Sequence, residues 1–234
     1  MIAAPVAVIA GAGAAGEATA ATLQAQGFHV VLVDHKIANA RRAADAVGDD
    51  AEAFEVVLGD FEATAAFRDE LLARLGRVDV LVHLVGGWRG SKSLDAASVD
   101  NWLALNPPVV GTLAVLTAAF GDIVKAAPRG RAFMVTSTTA TRPTVGNIAY
   151  AAAKRAAEAW MDGVADFFKD SDSASVTIAV KALLTDRMIA DDPDKTWPGY
   201  THVNVLAARI AAACTGEIPN GTRLDLTVEE EGTA

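Results

Sequence analysis

The sequence has 234 residues, of which 52% are hydrophobic and 21% charged, and its formal net charge is −9. This composition excludes disordered, collagen-like and disulfide-scaffold chains and is typical of one soluble globular domain, here 1–234. The negative charge repels phosphate backbones and anionic lipid, so we expect neither a nucleic-acid partner nor a membrane partner.

Cysteine content and targeting signals suggest a cytoplasmic protein. Cys214 is the only cysteine and has no ligand pattern beside it, so neither an intrachain disulfide nor a metal site is expected. No Lys or Arg precedes Lys36, so the basic start of a secretory signal is missing. An uncharged run at 101–121 could span a bilayer, but its Asn-Pro-Pro sequence and missing basic flank favour a buried helix.

Short runs rich in Val, Ile and Leu alternate with longer Ala-rich stretches of helical period, which is the pattern of βαβ units. Strands are predicted near 5–10, 29–34, 53–58, 78–84, 130–136, 175–180 and 223–227. These runs are almost continuously apolar, as expected when helices cover both faces of a parallel sheet. The predicted fold class is α/β, a single Rossmann-like, doubly wound parallel sheet of seven strands.

The first strand leads into a G-x-G-x-x-G turn at Gly11, Gly13 and Gly16, followed by an Ala-rich helix. Missing side chains let the backbone turn tightly and approach a pyrophosphate, whose charge the positive end of the helix attracts. A turn that merely packs a helix against a strand is the alternative. Asp34 ends the second strand 18 residues after Gly16, close to the spacing at which a carboxylate binds the adenosine ribose.

The acidic residues near this turn indicate which cofactor binds. A carboxylate at Asp34 repels a 2′-phosphate, so NAD(H) is favoured over NADP(H). An ordinary exposed Asp is the alternative, and basic residues at 35–36 and 41–42 keep NADP(H) open. Asp60, after the third strand, is predicted to reach the adenine edge, to cap the next helix, or both.

Tyr150 and Lys154 lie four residues apart on a predicted helix and therefore share a face. A free tyrosine titrates at about pH 10 and needs a neighbouring cation to act as an acid or base near neutrality. Lys154 is placed to be that cation. Ser137, at the end of the fifth strand, can hold a substrate oxygen beside Tyr150.

With these residues in order, the chain resembles the short-chain dehydrogenase/reductase family over nearly its whole length. Tyr150-x-x-x-Lys154, Ser137 and Asn106 match the family's catalytic set. The resemblance implies that Tyr150 is the general acid/base and that Ser137 positions the substrate oxygen. It also implies that Lys154 binds the nicotinamide ribose and lowers the pKa of Tyr150, and that Asn106 anchors a water-borne proton relay.

The resemblance also implies a homodimer or homotetramer. Its interface would be built by helices near 101–120 and 148–168, where small residues at 152–153 and 156–157 and the large Trp160 suit close packing. Burial within one chain would explain part of the same pattern.

Asn106 also has a local interpretation, because two prolines follow it. Proline disfavours helical geometry at the preceding residue, whereas Asn is a good N-cap and Pro a good first helical residue. We therefore expect a helix to restart here. A kink at this Asn is also what the family uses to free a carbonyl for the relay water.

Three motifs depart from the family. The glycine turn is one residue shorter than usual. His83-Leu84-Val85-Gly86 replaces Asn-Asn-Ala-Gly after the fourth strand, so Gly86 is kept as a cofactor contact and His83 is expected to be a core residue. The usual Pro-Gly after the sixth strand is absent from 180–185, although Thr185 is aligned with a nicotinamide contact.

Substrate contacts are expected in the loops that follow the strands. The segment 186–200, rich in Asp and Pro, is the predicted substrate lid. The predicted pocket residues are Trp88, Arg89, Arg142, Val145, Met188 and Trp197. Arg89 or Arg142 could hold a carboxylate or enolate, the alternative being an ordinary solvated charge.

The sequence predicts an NAD(H)-dependent oxidoreductase that acts on a small alcohol or carbonyl compound. Gly86-Gly87-Trp88 resembles a loop of dihydropteridine reductases, so a pteridine or quinonoid substrate is one alternative. A protein that binds NAD(H) without turnover is the other, although such a protein needs no acid/base tyrosine.

Overall fold

The computed structural model describes residues 4–48 and 51–227, and its strands form one large parallel sheet and one short pair. In chain order the strands are β1 (Val6–Ala10), β2 (His29–Asp34), β3 (Ala51–Glu55), β4 (Val80–His83), β5 (Arg131–Ser137), β6 (Ala174–Val180), β7 (Leu183–Leu184), β8 (Thr201–His202) and β9 (Thr222–Asp225). The large sheet has the order β3-β2-β1-β4-β5-β6-β9, with every neighbouring pair parallel. Because the chain starts near the middle and winds outward in both directions, the predicted doubly wound, Rossmann-like fold is confirmed.

Helices connect these strands. In chain order they are α1 (Ala14–Ala25), α2 (Ile37–Val47), α3 (Phe61–Leu75), α4 (Ala96–Asn106), α5 (Thr112–Ala126), α6 (Ile148–Phe168), α7 (Asp186–Asp191) and α8 (Val203–Thr215). A π-segment (Pro107–Gly111) joins α4 to α5 without a break, and short 3-10 turns occupy Thr138–Ala140 and Val145–Asn147. Local capping explains several helix starts: Asp95 accepts the Ala97 N–H at the start of α4, which satisfies a donor that has no helical partner.

The sheet lies between two helical layers and buries apolar residues on both faces. Alternate strand residues such as Ile9 and Leu32 pack under α1, α2 and α8, whereas Val8 and Val31 pack under α3, α5 and α6. Neighbouring side chains on a strand point to opposite faces, so continuous apolar runs are needed when both faces are covered. Because the strands are parallel, the carboxyl ends of β1, β4, β5 and β6 lie side by side at one end of the strands, and the candidate site lies there.

The uncharged run at 101–121 belongs to a continuous helix, Ala96–Ala126, that is long and apolar enough to cross a membrane. Length and composition alone are weak grounds, because the core helix of a globular protein meets the same criteria. Leu113, Leu116 and Phe120 of this helix are buried against the sheet, and 39% of its most apolar stretch is buried in the molecule. Its core-facing side therefore packs as predicted for a buried helix.

The predicted lid contains helix α7 and the turns that follow it. Its base is closed by the parallel pair β7–β8, which the sequence pattern does not predict because each strand has only two residues. Within the loop, the rings of Trp197 and Tyr200 have their centroids 5.3 Å apart. The pair therefore ties the two ends of the lid to each other, shortly after the carboxyl end of β6.

Candidate active site

The glycine turn after β1 has a shape that its three glycines make possible. Gly11 has a φ of +104°, and a Cβ there would lie 2.9 Å from the carbonyl carbon of Leu84. A Cβ on Gly16 would lie 2.1 Å from the Gly11 carbonyl oxygen. Gly13, by contrast, lies at the start of α1, where a Cβ would have no neighbouring atom within 4 Å. The turn is therefore packed on two sides and open where a ligand would approach the first N–H groups of the helix.

The Asp34 carboxylate lies beside this turn and is largely buried. Its Oδ1 accepts from the Lys36 N–H and from Asn39 Nδ2, each at 3.0 Å, and lies 3.1 Å from His35 Nδ1. Its Oδ2 accepts only a longer hydrogen bond, 3.3 Å, from the Ala12 N–H. These contacts hold the carboxylate in place and leave Oδ2 as the less committed oxygen.

Arg42 is one of the basic residues that left NADP(H) as a possible cofactor, and in the structure it contacts neighbouring residues of the glycine turn and α1. Its guanidinium donates to the Ala12 carbonyl at 2.8 Å and pairs with Glu17 at 2.7 Å. Arg42 therefore braces the glycine turn against α1. The nearby Lys36 and Arg41 are exposed on the surface of this region.

Two adjoining cavities follow the carboxyl ends of the strands. One, of about 490 Å³, contains all three glycines of the turn and Asp34. The other, of about 680 Å³, contains Ser137, Tyr150 and Lys154. Four residues line both cavities, namely Ala15, Leu84, Val85 and Gly86. The glycine turn and three of the predicted catalytic residues, Ser137, Tyr150 and Lys154, thus face one continuous crevice, which we call the active-site crevice. Asn106, the fourth, is not among the described residues that line it.

Tyr150 and Ser137 act on each other inside this crevice. Burial raises the pKa of the Tyr150 hydroxyl, and a hydrogen bond with the Ser137 side chain opposes that rise. The Ser137 hydroxyl also lies 3.0 Å from Thr139 Oγ1, at the start of the turn after β5. The serine therefore bridges the tyrosine and the end of the strand, which fixes where an oxygen held by both would sit.

Lys154 is buried one turn after Tyr150, and its ammonium donates to the Val135 carbonyl at 2.7 Å. Burial lowers the pKa of Lys154 to about 8, with Glu158 acting in the opposite direction. Its Nζ lies 5.9 Å from the centroid of the Tyr150 ring. The causes that act on the Tyr150 pKa are burial and Ser137, and the lowering by Lys154 stays a prediction.

Asn106 does not start a new helix, and this part of the prediction is wrong. Its backbone is helical, with φ −59° and ψ −48°, and its side chain makes no capping hydrogen bond. Pro107 and Pro108 lack the N–H groups that α-helical bonding requires, and the chain widens into the π-segment instead of ending. The Thr112 N–H then bonds to the Pro107 carbonyl, which carries the helix past the two prolines.

Two predicted cofactor contacts act as helix caps. Asp60 accepts the Ala63 N–H at 3.0 Å at the start of α3. Thr185 accepts the Met188 N–H at 3.2 Å at the start of α7. Neither is among the described residues that line the crevice, although Gly59 beside Asp60 is. Gly86 does line it, and a Cβ there would lie 3.7 Å from Lys154 Nζ.

The predicted substrate residues divide into one that lines the crevice and several that do not. Trp88 lines it and is 68% exposed. The remaining predicted residues are absent from the described lining; they are Arg89, Arg142, Val145, Met188 and Trp197. Lys181 and Tyr200 line it instead. A signal for Lys181 was present in the sequence, because this residue lies in the stretch 180–185, where the family's usual Pro-Gly is absent.

His83 is buried at the end of β4, as predicted, and also borders the crevice. Its Nε2 lies 2.8 Å from Thr112 Oγ1. Burial, and next the charge of Lys154, lower the pKa of His83 to about 3. Within the described residues, no group of three or more His, Cys, Asp or Glu side chains is arranged to hold a metal ion.

Comparison with known proteins gives matches along most of the chain. Residues 5–207 match the family model described as short chain dehydrogenase. A 146-residue stretch is 31% identical to YohF of Escherichia coli (strain K12), described as an uncharacterized oxidoreductase; it covers 60% of this chain and 57% of that protein.

Solved structures share the fold. The 3-ketoacyl-(acyl-carrier-protein) reductase from Brucella melitensis, complexed with NADH, superposes with a TM-score of 0.80 at 22% identity, covering 97% of this chain and 98% of that one. A Haemophilus influenza protein with bound NAD superposes with a TM-score of 0.82 at 16% identity, covering 96% and 94%. At these identities the similarity establishes the fold.

Proposed function

Because the chain belongs to the short-chain dehydrogenase family, we propose that it is an NAD(H)-dependent oxidoreductase that interconverts a small alcohol and a carbonyl compound. The observation that carries this proposal is the active-site crevice itself. It brings Ser137, at the end of β5, together with Tyr150 and Lys154, near the start of α6, next to the glycine turn. A protein that only bound a dinucleotide would need the turn but not these three side chains.

The residues around the turn fit a nicotinamide dinucleotide. The open space at Gly13 and the start of α1 suits a pyrophosphate, and Asp34 Oδ2 is free enough to accept from ribose hydroxyls. When bound, the nicotinamide supplies or takes the hydride. The carboxylate of Asp34 would oppose a 2′-phosphate, and Arg42 is already committed to Ala12 and Glu17, which supports NAD(H) over NADP(H). Two proteins of this fold are complexed with NADH and with NAD.

Tyr150 moves the proton in the proposed reaction. Because its pKa is raised, its hydroxyl is protonated at neutral pH, which is the form that donates to a carbonyl oxygen. Ser137 holds that oxygen beside the tyrosine. In this protonation state Tyr150 can donate the proton that carbonyl reduction requires.

Lys154 and Asn106 have supporting roles in the proposal. Lys154 keeps a charge beside Tyr150, and because its pKa is about 8 it can exchange a proton with water near neutrality. Asn106 lies at the point where α4 passes into the π-segment, and its proposed part in a proton relay rests on the family resemblance alone.

Turnover of NADH across a panel of ketones, aldehydes, quinones and pterins tests the class of activity. We expect NADH consumption with at least one carbonyl compound, and slower turnover with NADPH. NADH binding without consumption across the whole panel would show a dinucleotide-binding protein instead. Consumption confined to pterins or quinones would replace the alcohol and carbonyl assignment.

We also propose that two or four copies associate through α5 and α6. A groove of about 460 Å³ lies between these helices, with Gly121 at its floor and the large side chains of Trp160 and Phe167, each 42% exposed, beside it. Of the small residues predicted to pack there, Ala153 and Ala157 are fully buried in the monomer and cannot contact a partner. Light scattering should show an oligomer that Trp160→Glu disrupts; a monomer at micromolar concentration would contradict this.

A further inference from the structure

Lys181 is a second lysine in the active-site crevice, and the proposed function leaves it without a role. It follows β6 directly and lines the same cavity as Tyr150 and Ser137. The titratable cations of that cavity are Lys154 and Lys181, beside a His83 that is neutral at physiological pH. No Asp or Glu is found among the described residues that line the cavity. In a chain with a net charge of −9, the cavity that contains Tyr150 is thus locally positive.

The loop of the predicted lid holds Lys181 in place. Its Nζ donates to the Pro198 carbonyl at 2.7 Å and lies 5.7 Å from the centroid of the Tyr200 ring. Gly199, with a φ of +75°, lets the loop pass close to the lysine stem, because a Cβ there would lie 3.2 Å from Lys181 Cδ. Lys181 is exposed, and these contacts with the loop fix the position of its ammonium.

Lys181 has hydrogen-bonding capacity left over. An ammonium has three N–H donors, and the Pro198 carbonyl uses one of them. The described residues include no carboxylate that pairs with it, although the same loop carries several aspartates. Those that form ion-pair contacts there are Asp186, Asp191 and Asp192, whose partners are His202, Arg187 and Lys195. None of these three aspartates pairs with Lys181.

We propose that Lys181 recognises a carboxylate on the substrate, so that the enzyme interconverts a hydroxy acid and an oxo acid. This inference rests on the proposed function. It assigns to Lys181, which lines the cavity of Tyr150, the positive charge that was predicted at Arg89 or Arg142. A singly charged carboxylate matches the charge of the Lys181 ammonium, and its two oxygens suit the two donors that Pro198 leaves over.

The test compares each oxo acid with its methyl ester, because the pair differs in charge and shares the reacting carbonyl. We expect the wild-type enzyme to prefer the acids, with NADH as reductant. Lys181→Met should lower the acid-to-ester ratio of kcat/KM about tenfold or more, the range for a lost hydrogen bond to a charged group. Lys181→Arg should retain much of the preference because it keeps the charge.

Two controls separate recognition from loop positioning. Lys169→Met makes the same charge change at an exposed residue at the end of α6 and should leave the acid-to-ester ratio unaltered. The dissociation constant for NADH, measured by fluorescence quenching, should stay close to the wild-type value in Lys181→Met.

Each possible outcome bears on the inference. If acid and ester lose activity together, Lys181 only positions the loop and the inference is overturned. It is also overturned if weakened NADH binding accounts for the loss, or if phosphate monoesters rather than carboxylates show the dependence on Lys181. A wild-type enzyme that reduces neutral ketones but no oxo acid would overturn it while leaving the proposed function intact. An enzyme that reduces no carbonyl compound would overturn the proposed function itself.

Discussion

The imidazole of His83 is joined to Thr112, with 2.8 Å between Nε2 and Oγ1. The Thr112 hydroxyl donates its single proton to the Pro108 carbonyl at 2.8 Å, so it must accept from the histidine. His83 therefore carries its proton on Nε2. The contact ties the end of β4 to the first turn of α5, just after the π-segment, and so holds the widened helix against the sheet beside the crevice.

Acid should destabilise the protein through this histidine. His83 has a pKa of about 3 when folded, against about 6.5 in the unfolded chain, so the unfolded state binds the proton more tightly between these values. The free energy of unfolding falls as the pH drops through that window. Between pH 7 and pH 4.5 the histidine should contribute a loss of about 2 to 3 kcal/mol.

Urea unfolding of wild type and His83→Asn at both pH values measures this loss. The variant keeps a polar side chain but cannot titrate there, so its stability should depend less on pH. Equal pH dependence of the two proteins would show that His83 does not carry the effect. The other titrating groups are common to both proteins and cancel in the comparison.

Tyr150→Phe should abolish most of the activity. Removing the hydroxyl deletes the proposed acid/base, which is worth about 10² to 10⁴ in rate, while the buried ring keeps its packing. The measurement is kcat with any substrate found in the panel, together with the dissociation constant for NADH, which should change little. Tyr200→Phe removes the only other tyrosine hydroxyl of the chain and should lose far less. Full hydride transfer by Tyr150→Phe would refute the mechanism.

The three glycines of the turn should respond differently to alanine. Gly13→Ala adds a Cβ in open space, so the unfolding free energy should change by no more than about 0.5 kcal/mol while NADH binding weakens. Gly16→Ala places its Cβ 2.1 Å from the Gly11 carbonyl oxygen, so it should destabilise the fold by about 1 to 3 kcal/mol as well. Thermal unfolding and NADH titration of both variants check this. A Gly13→Ala protein that binds NADH normally would argue against a pyrophosphate at the turn.

Asp34→Asn should relax the choice between the two nicotinamide cofactors. The amide keeps one oxygen, which can replace Oδ1 and accept from the Lys36 N–H and Asn39 Nδ2, but its NH2 group replaces Oδ2 and it loses the charge that repels a 2′-phosphate. We expect the ratio of kcat/KM for NADH over NADPH to fall by about tenfold. Asp45→Asn, the same change at an exposed position on α2, is the control and should leave the ratio unaltered. An unchanged ratio in Asp34→Asn would remove this carboxylate from cofactor selection.

The local sequence pattern was sufficient to predict the strands of the large sheet and the two parts of the proposed site, the glycine turn and the pair Tyr150 and Lys154. Apolar runs predicted the seven strands of the large sheet; they are continuous in inner strands such as β1 and β4, which are buried on both faces, whereas the edge strands β3 and β9 are only partly buried. The strand boundaries were predicted less well. β3 ends at Glu55, three residues before the predicted end. The Val56 N–H makes the last hydrogen bond to β2, at the Asp34 carbonyl, and the chain then leaves the sheet. The four-residue spacing of Tyr150 and Lys154 placed both on one helix face because the helical period is fixed.

The sequence by itself thus determined the fold class, the glycine turn and the side chains that the family resemblance names. Only the tertiary structure decided that Lys181 and Tyr200, rather than Arg142 or Met188, line the crevice, and that Lys154 donates to a strand carbonyl. These contacts join residues through loops that have no repeating period, so neither hydrophobic pattern nor spacing predicts them. A polar side chain takes the partners that the folded chain brings within about 3 Å, and those partners lie far away in the sequence.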